Sequence, residues 1–214
     1  ENPRTTGNGT WGDIPFFTFS DSVSATVVED PTVDSRSKLY IQRNLLHVSQ
    51  YYEKTSGGKV IFEVPDSSDI SSIIRLDVEL AEYGNDDDYS LRTSNFAKDA
   101  IEAADNELDF SNYDVIMVFH AGCGQHTDFD EQSPDDLHPV SINHILLREI
   151  LADGDPGYQG IATNDQNPDG STHHVQFVQI FPETAVQDWE DPDNVAGGLQ
   201  GLLGVMVHEL GHFF

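Results

Sequence analysis

Residues 195–214 form the most apolar stretch of the chain, yet they carry His208, Glu209 and His212. The stretch has no proline and reads as a buried helix. It is too often broken by charge and glycine to be a membrane span, and no run of about 18 apolar residues occurs elsewhere. The fold must therefore pack one face of this helix while presenting two imidazoles and a carboxylate. A glutamate set between two histidines on an apolar helix is costly to bury without a partner such as a metal ion.

Each helical residue turns about 100°, so His208 and His212, four apart, share one face. Their ring nitrogens can converge on one ion, and neutral imidazole suits Zn2+ at about 2.0–2.1 Å. Glu209 is displaced by about 100°, which favours contact with a metal-held water over direct ligation. Zinc lowers the pKa of such a water towards about 7. Glu209 can take its proton as the water attacks a peptide carbonyl, then pass it to the leaving amine. The pattern thus assigns His208 and His212 as metal ligands and Glu209 as general base, with a third protein ligand unassigned. With 9 histidines in 214 residues, chance supplies only roughly 0.02 such motifs.

The formal net charge is -28, from 38 acidic and 10 basic residues. Such a chain repels phosphate backbones, which excludes nucleic acid as a partner. The hydrophobic share of 37% argues for a folded domain rather than disorder. The length suits one domain, residues 13–214, behind a polar lead-in at 1–12. The acidic surface suits a salty medium, bound Ca2+, or plain solvation. The single cysteine, Cys123, precludes an internal disulfide and leaves export open. Glu1 opens neither an initiator methionine nor a signal peptide, which suggests processing or excision from a longer chain.

Apolar, strand-type runs predict strands at residues 14–19, 59–64 (KVIFEV), 73–80 (IIRLDVEL) and 174–181 (HVQFVQIF), the last two alternating and the last near a sheet edge. The continuous run 113–120 (YDVIMVFH) predicts a central strand buried on both faces. Residues 139–147 suit strand better than helix. Helical spacing predicts helices from Asp34 or Ser35 to about Thr55, from Ser90 or Thr93 to about Asn106, and over 195–214. Residues 153–171 read as loop. Interleaved strands and helices give an α/β or α+β fold.

Other residues carry weaker chemistry. Cys123 could reach the metal as an inhibitory thiolate, but reads better as a small loop residue. His120 could support a metal ligand, although a hydrogen-bonded core histidine is the simpler reading. His173 and His174 could substitute for a ligand. Asp86, Asp87 and Asp88, or Asp128, Asp130, Asp135 and Asp136, offer oxygens for Ca2+ without matching an EF-hand loop.

Four stretches resemble the catalytic domain of the immune inhibitor A family of secreted zinc metallopeptidases: HVSQYYEKTSGGKVIFEV (47–64), LAEYG (80–84), NELDFSNYDVIMVFHAGCGQ (106–125) and GVMVHELGHFF (204–214). The resemblance implies a zincin fold, with a twisted mixed sheet, an active-site helix, and substrate lying along an edge strand. By that analogy 174–181 is the strand that pairs with an extended peptide. The resemblance also implies endoproteolysis outside the cell. It places the third ligand, an acidic residue, past Phe214, so that the chain corresponds to the N-terminal part of a catalytic domain. His126 departs from the family, which often has glutamate there. Two further classes stay open: an acidic, calcium-dependent binding or cell-surface module, and a zinc peptidase of another clan.

Overall fold

A computed structural model describes residues 38–127, 134–184 and 195–214, together with the backbone of the strands β1 (Thr18–Phe19) and β2 (Val27–Val28), which pair antiparallel. The lead-in at 1–12, the Asp34 and Ser35 caps, and Asp128 and Asp130 lie outside the described residues.

Helix α1 (Lys38–Thr55) buries Tyr40, Asn44 and Val48, with Ile41, Leu45 and Tyr52 packed beside them. Leu39 and Leu46 lie on the exposed side. The helix stops at Gly57 and Gly58, both at positive φ. The Gly58 N–H donates to the Glu53 carbonyl at 2.7 Å, a closure that glycine makes without steric cost. Helix α2 (Leu80–Gly84) leads into α3 (Tyr89–Ala104), whose face of Phe96, Ala97, Ile101 and Ala104 is buried. The α2 turn replaces the end of the strand expected over 73–80. Gly84 is obligatory in it, because a Cβ there would lie 2.0 Å from the Asp135 carbonyl oxygen.

The main sheet joins β3 (Ile116–Cys123), β4 (Val140–Asn143) and β7 (Phe177–Thr184) in the order β3-β7-β4. β7 pairs parallel with β3 and antiparallel with β4. Between β4 and β7 run α4 (His144–Leu151) and an antiparallel hairpin, β5 (Ile161–Gln166) and β6 (Thr172–Val175). The final helix α5 spans Val195–Gly211. The described fold is a mixed α/β arrangement around a mixed sheet.

Side-chain alternation assigns the two faces. Ile116, Val118, Ile142, Val178 and Ile180 face a core closed by α3, α4 and the β5–β6 hairpin. Met117, Phe119 and Phe181 face a second core with α1 and α5. Four expectations are corrected. The strand within 174–181 is central, not an edge, because β3 and β4 occupy both its sides. The strand within 113–120 lies at an edge among the described residues. Segments 59–64 and 73–79 join no ladder. They instead line a cleft of about 1720 Å3 along β3, which leaves residues 116–119 only half-buried. Residues 153–171 are not all loop, since β5 begins at Ile161.

Candidate metal centre

α5 seats itself in the second core by Leu202, Met206 and Leu210, a spacing of four that keeps one apolar stripe inward. Each of the three is 2% exposed or less. The opposite side presents His208 and His212, both exposed, with Glu209 half-buried between them. The imidazole centroids lie 5.0 Å apart with planes at 82°. One ligand atom from each of His208, Glu209 and His212 falls within 4.8 Å of the others. Two imidazoles on one tetrahedral zinc stand about 3.3 Å apart, so small side-chain rotations bring these donors to binding distance. The Glu209 carboxylate reaches the same group despite its angular displacement. That separation suits both a hydrogen bond to a metal-held water and ligation itself.

The backbone under this turn is fixed from two sides. The Tyr52 hydroxyl donates to the Val207 carbonyl at 2.5 Å. The Ser141 hydroxyl donates to the Glu209 carbonyl at 2.8 Å, and Gln179, its cross-strand partner on the buried side of β7, donates to Ser141 at 3.2 Å. The His212 N–H also returns to the Glu209 carbonyl at 3.1 Å. Side chains from α1 and β4 thus add bonds to two carbonyls of the last turns of α5. A Cβ at Gly211 would sit 3.3 Å from the Tyr52 hydroxyl, which favours glycine within the motif.

Tyr89 opens α3 with its ring edge-on to His138 at 5.6 Å. Burial pushes its phenol up to about 12, assisted by the nearby charges of Asp86 and Glu209. It therefore stays protonated on the Glu209 side of the site. Tyr52, Tyr89 and Ser141 gave no sequence signal of these roles, because each depends on a long-range contact.

The other sequence candidates lie apart from the group, which gains no further His, Cys, Asp or Glu among the described residues. Cys123 is wholly buried, and burial, with Asp136 and Glu183 nearby, pushes its thiol far up, so it is no thiolate ligand. His173 and His174 sit on β6, engaged with the Asn167 side chain and the Thr172 carbonyl at 3.0 Å each. Asp86, Asp87 and Asp88 are exposed. No helix among the described residues is long and apolar enough to cross a membrane. No family model, curated protein or solved structure matches the chain.

Proposed function

We propose that this chain carries the metal-binding motif of a secreted zinc endopeptidase. The observation that carries the reading is the convergence of His208, Glu209 and His212 within 4.8 Å on one turn whose carbonyls are anchored by Tyr52 and Ser141. Two imidazoles supply two of the donors that zinc takes in hydrolytic sites, and Glu209 stands where it could meet a metal-held water. The four stretches resembling the immune inhibitor A family add the expectation of secretion and broad endoproteolysis.

Zinc, when bound, supplies a polarised carbonyl and an acidified water. His208 and His212 hold the ion from one helix face. Glu209 accepts a proton from the attacking water and delivers it to the departing amine nitrogen. β4 is the edge strand beside Glu209, with no strand on its outer side among the described residues. An extended peptide pairing there would run past Glu209, so β4 takes the substrate-pairing role expected of 174–181. The calcium-held binding module has less support, because no converged all-carboxylate group occurs among the described residues.

The test is casein hydrolysis with parallel zinc analysis. Glu209→Gln should lower turnover at least about 100-fold, the scale of general-base catalysis, with bound zinc unchanged. Full activity in Glu209→Gln overturns the mechanism, and a zinc affinity unchanged by His208→Ala/His212→Ala overturns the metal assignment.

A further inference from the structure

β3 pairs with β7 on one side only among the described residues. It borders the cleft of about 1720 Å3, which residues 73–76 (IIRL) also line. Those four residues make no backbone hydrogen bond among the described residues. A free strand edge and an unpaired segment of strand-forming residues thus share one cleft, although backbone groups withdrawn from water are nearly always paired. Two sets of contacts fix how the segment runs. At its start, the Tyr113 hydroxyl donates to the Asp69 carboxylate at 2.7 Å, and the Ser72 N–H donates to the Glu107 carboxylate at 2.7 Å. Past its end, Phe96 meets the Tyr83 ring at 5.1 Å and the His120 ring at 6.3 Å. The stretch from Asp69 to Tyr83 and the stretch from Tyr113 to His120 therefore begin together and end together. Residues 73–76 run in the same direction as β3.

The side chains agree with that direction. Ile74 and Leu76 are half-buried and pack on the same core as Ile116 and Val118. Ile73 and Arg75 are exposed, which gives the period of two that a strand needs. A parallel neighbour also requires a long crossover, usually a helix. Helix α3 lies between the two segments in sequence and packs on that core through Phe96 and Ile101. We propose that residues 73–76 are a strap that closes onto the free edge of β3 as a fourth, parallel strand, with Ile74 beside Ile116 and Leu76 beside Val118. Pairing at a strand spacing of about 4.8 Å narrows the cleft and covers residues 116–119. Ile73, 66% exposed in the open arrangement, then lies beside Val115, on the side of the second core. Leu210 and Phe213 line the same cleft, so closure reaches the segment that carries His212.

The strap depends on neither metal nor peptidase activity. Amide exchange of the full chain, read by nuclear magnetic resonance, tests it. In the unmodified protein, alternate amides within 73–76 should exchange at least about 100-fold more slowly than in an open chain. Backbone proton contacts should join Leu76 to Val118 across the new pair. Ile73→Asp places its charge on a side chain exposed in the open arrangement, where it costs little, but closure would bury that charge. The variant should therefore return the 73–76 amides to within about tenfold of open-chain rates, while Ile101 in α3 keeps its protection. Open-chain exchange throughout 73–76 in the unmodified protein, protection without contacts to β3, or protection that survives Ile73→Asp overturns the strap. Protection of β3 that rises with protein concentration and leaves 73–76 unprotected assigns the edge to a second copy of the chain, and overturns the strap as well.

Discussion

Ser141 on β4 holds the backbone carbonyl of Glu209 at 2.8 Å. Sheet and motif are thereby joined at the residue assigned to proton transfer. Gln179 completes the link, because its amide donates to the same hydroxyl from the central strand. A carboxylate acting on a metal-held water must be placed to within about 0.5 Å. Here that placement descends from the sheet register, which pairs Ser141 with Gln179.

Ser141→Ala should destabilise the fold by about 2 kcal/mol, measured by urea unfolding. One hydrogen bond worth about 0.5–1.5 kcal/mol is lost. The buried Gln179, whose Oε1 already lacks a partner, then loses the acceptor of its amide as well. An unchanged urea midpoint would show that Ser141 does not anchor the helix.

Tyr52→Phe should cost about 1 kcal/mol, the net worth of a single hydrogen bond. The ring keeps its contacts with Phe62 and Phe214, at 5.2 and 5.7 Å, so packing is preserved. Zinc affinity should fall as the Val207 carbonyl is released, by about tenfold for each 1.4 kcal/mol of lost positioning. Calorimetric titration with zinc reads this directly.

Helices α1, α3 and α5 were legible because burial on one face leaves a 3.6-residue rhythm, as in Phe96, Ala97 and Ile101, whereas α4 lies partly in 139–147, which reads as strand but is strand only over Val140–Asn143. The candidate group was legible for a related reason: the two histidines proposed as ligands lie on one helix, four residues apart. Sheet order was not legible. The alternation in 174–181 suggested a wet face, but Gln179 is fully buried, its amide spent on Ser141. The strand-like runs at 59–64 and 73–78 reflected one-sided contact along a cleft, with Ile61 and Ile73 exposed, rather than pairing. The β5–β6 hairpin was hidden by its own turn, where the Gly170 N–H closes on the Asn167 carbonyl at 2.8 Å within a loop-like composition.

Acid should destabilise the metal-free protein well before its carboxylates titrate. Burial drives His120 and His126 each down to about 4, and it also lowers His138. The fold favours their neutral forms, so the unfolded chain binds these protons first. Stability is full above the ordinary histidine value of 6.5 and drains as pH falls towards 4. For His120 alone the loss is on the order of 3 kcal/mol. Asp66 and Asp109, held low by Ser68 and Ser111, add losses only below their ordinary range. Urea midpoints in chelator between pH 7 and 4 should fall steadily, and His126→Gln should flatten the slope.

Gly84→Ala should disable folding rather than trim it. The added methyl would lie 2.0 Å from the Asp135 carbonyl oxygen and 2.7 Å from the Asp136 carbonyl carbon. Both obstacles are backbone, so no side chain can yield. Overpacking of this kind costs about 1–3 kcal/mol or more. Gly170→Ala meets no atom within 4 Å and strains only its own φ of 84°. The soluble yield and melting temperature of Gly84→Ala should therefore fall below those of Gly170→Ala.

Removing zinc should soften the protein without unfolding α5. The helix is seated by Leu202, Met206 and Leu210, whereas His208 and His212 are exposed. The fold therefore supplies the site, and the ion adds only its binding energy. With zinc at about 100 times its Kd that energy is about 2.7 kcal/mol. For a domain of this size it raises the melting temperature by about 5–10 °C. A chelator should reverse the rise and leave the far-ultraviolet dichroism intact. His208→Ala should lose the zinc effect at little cost to the apo protein, while Met206→Ala should cost the apo protein about 2–5 kcal/mol. If chelation instead melts the helix, the metal organises α5, and the apolar stripe is not what holds it.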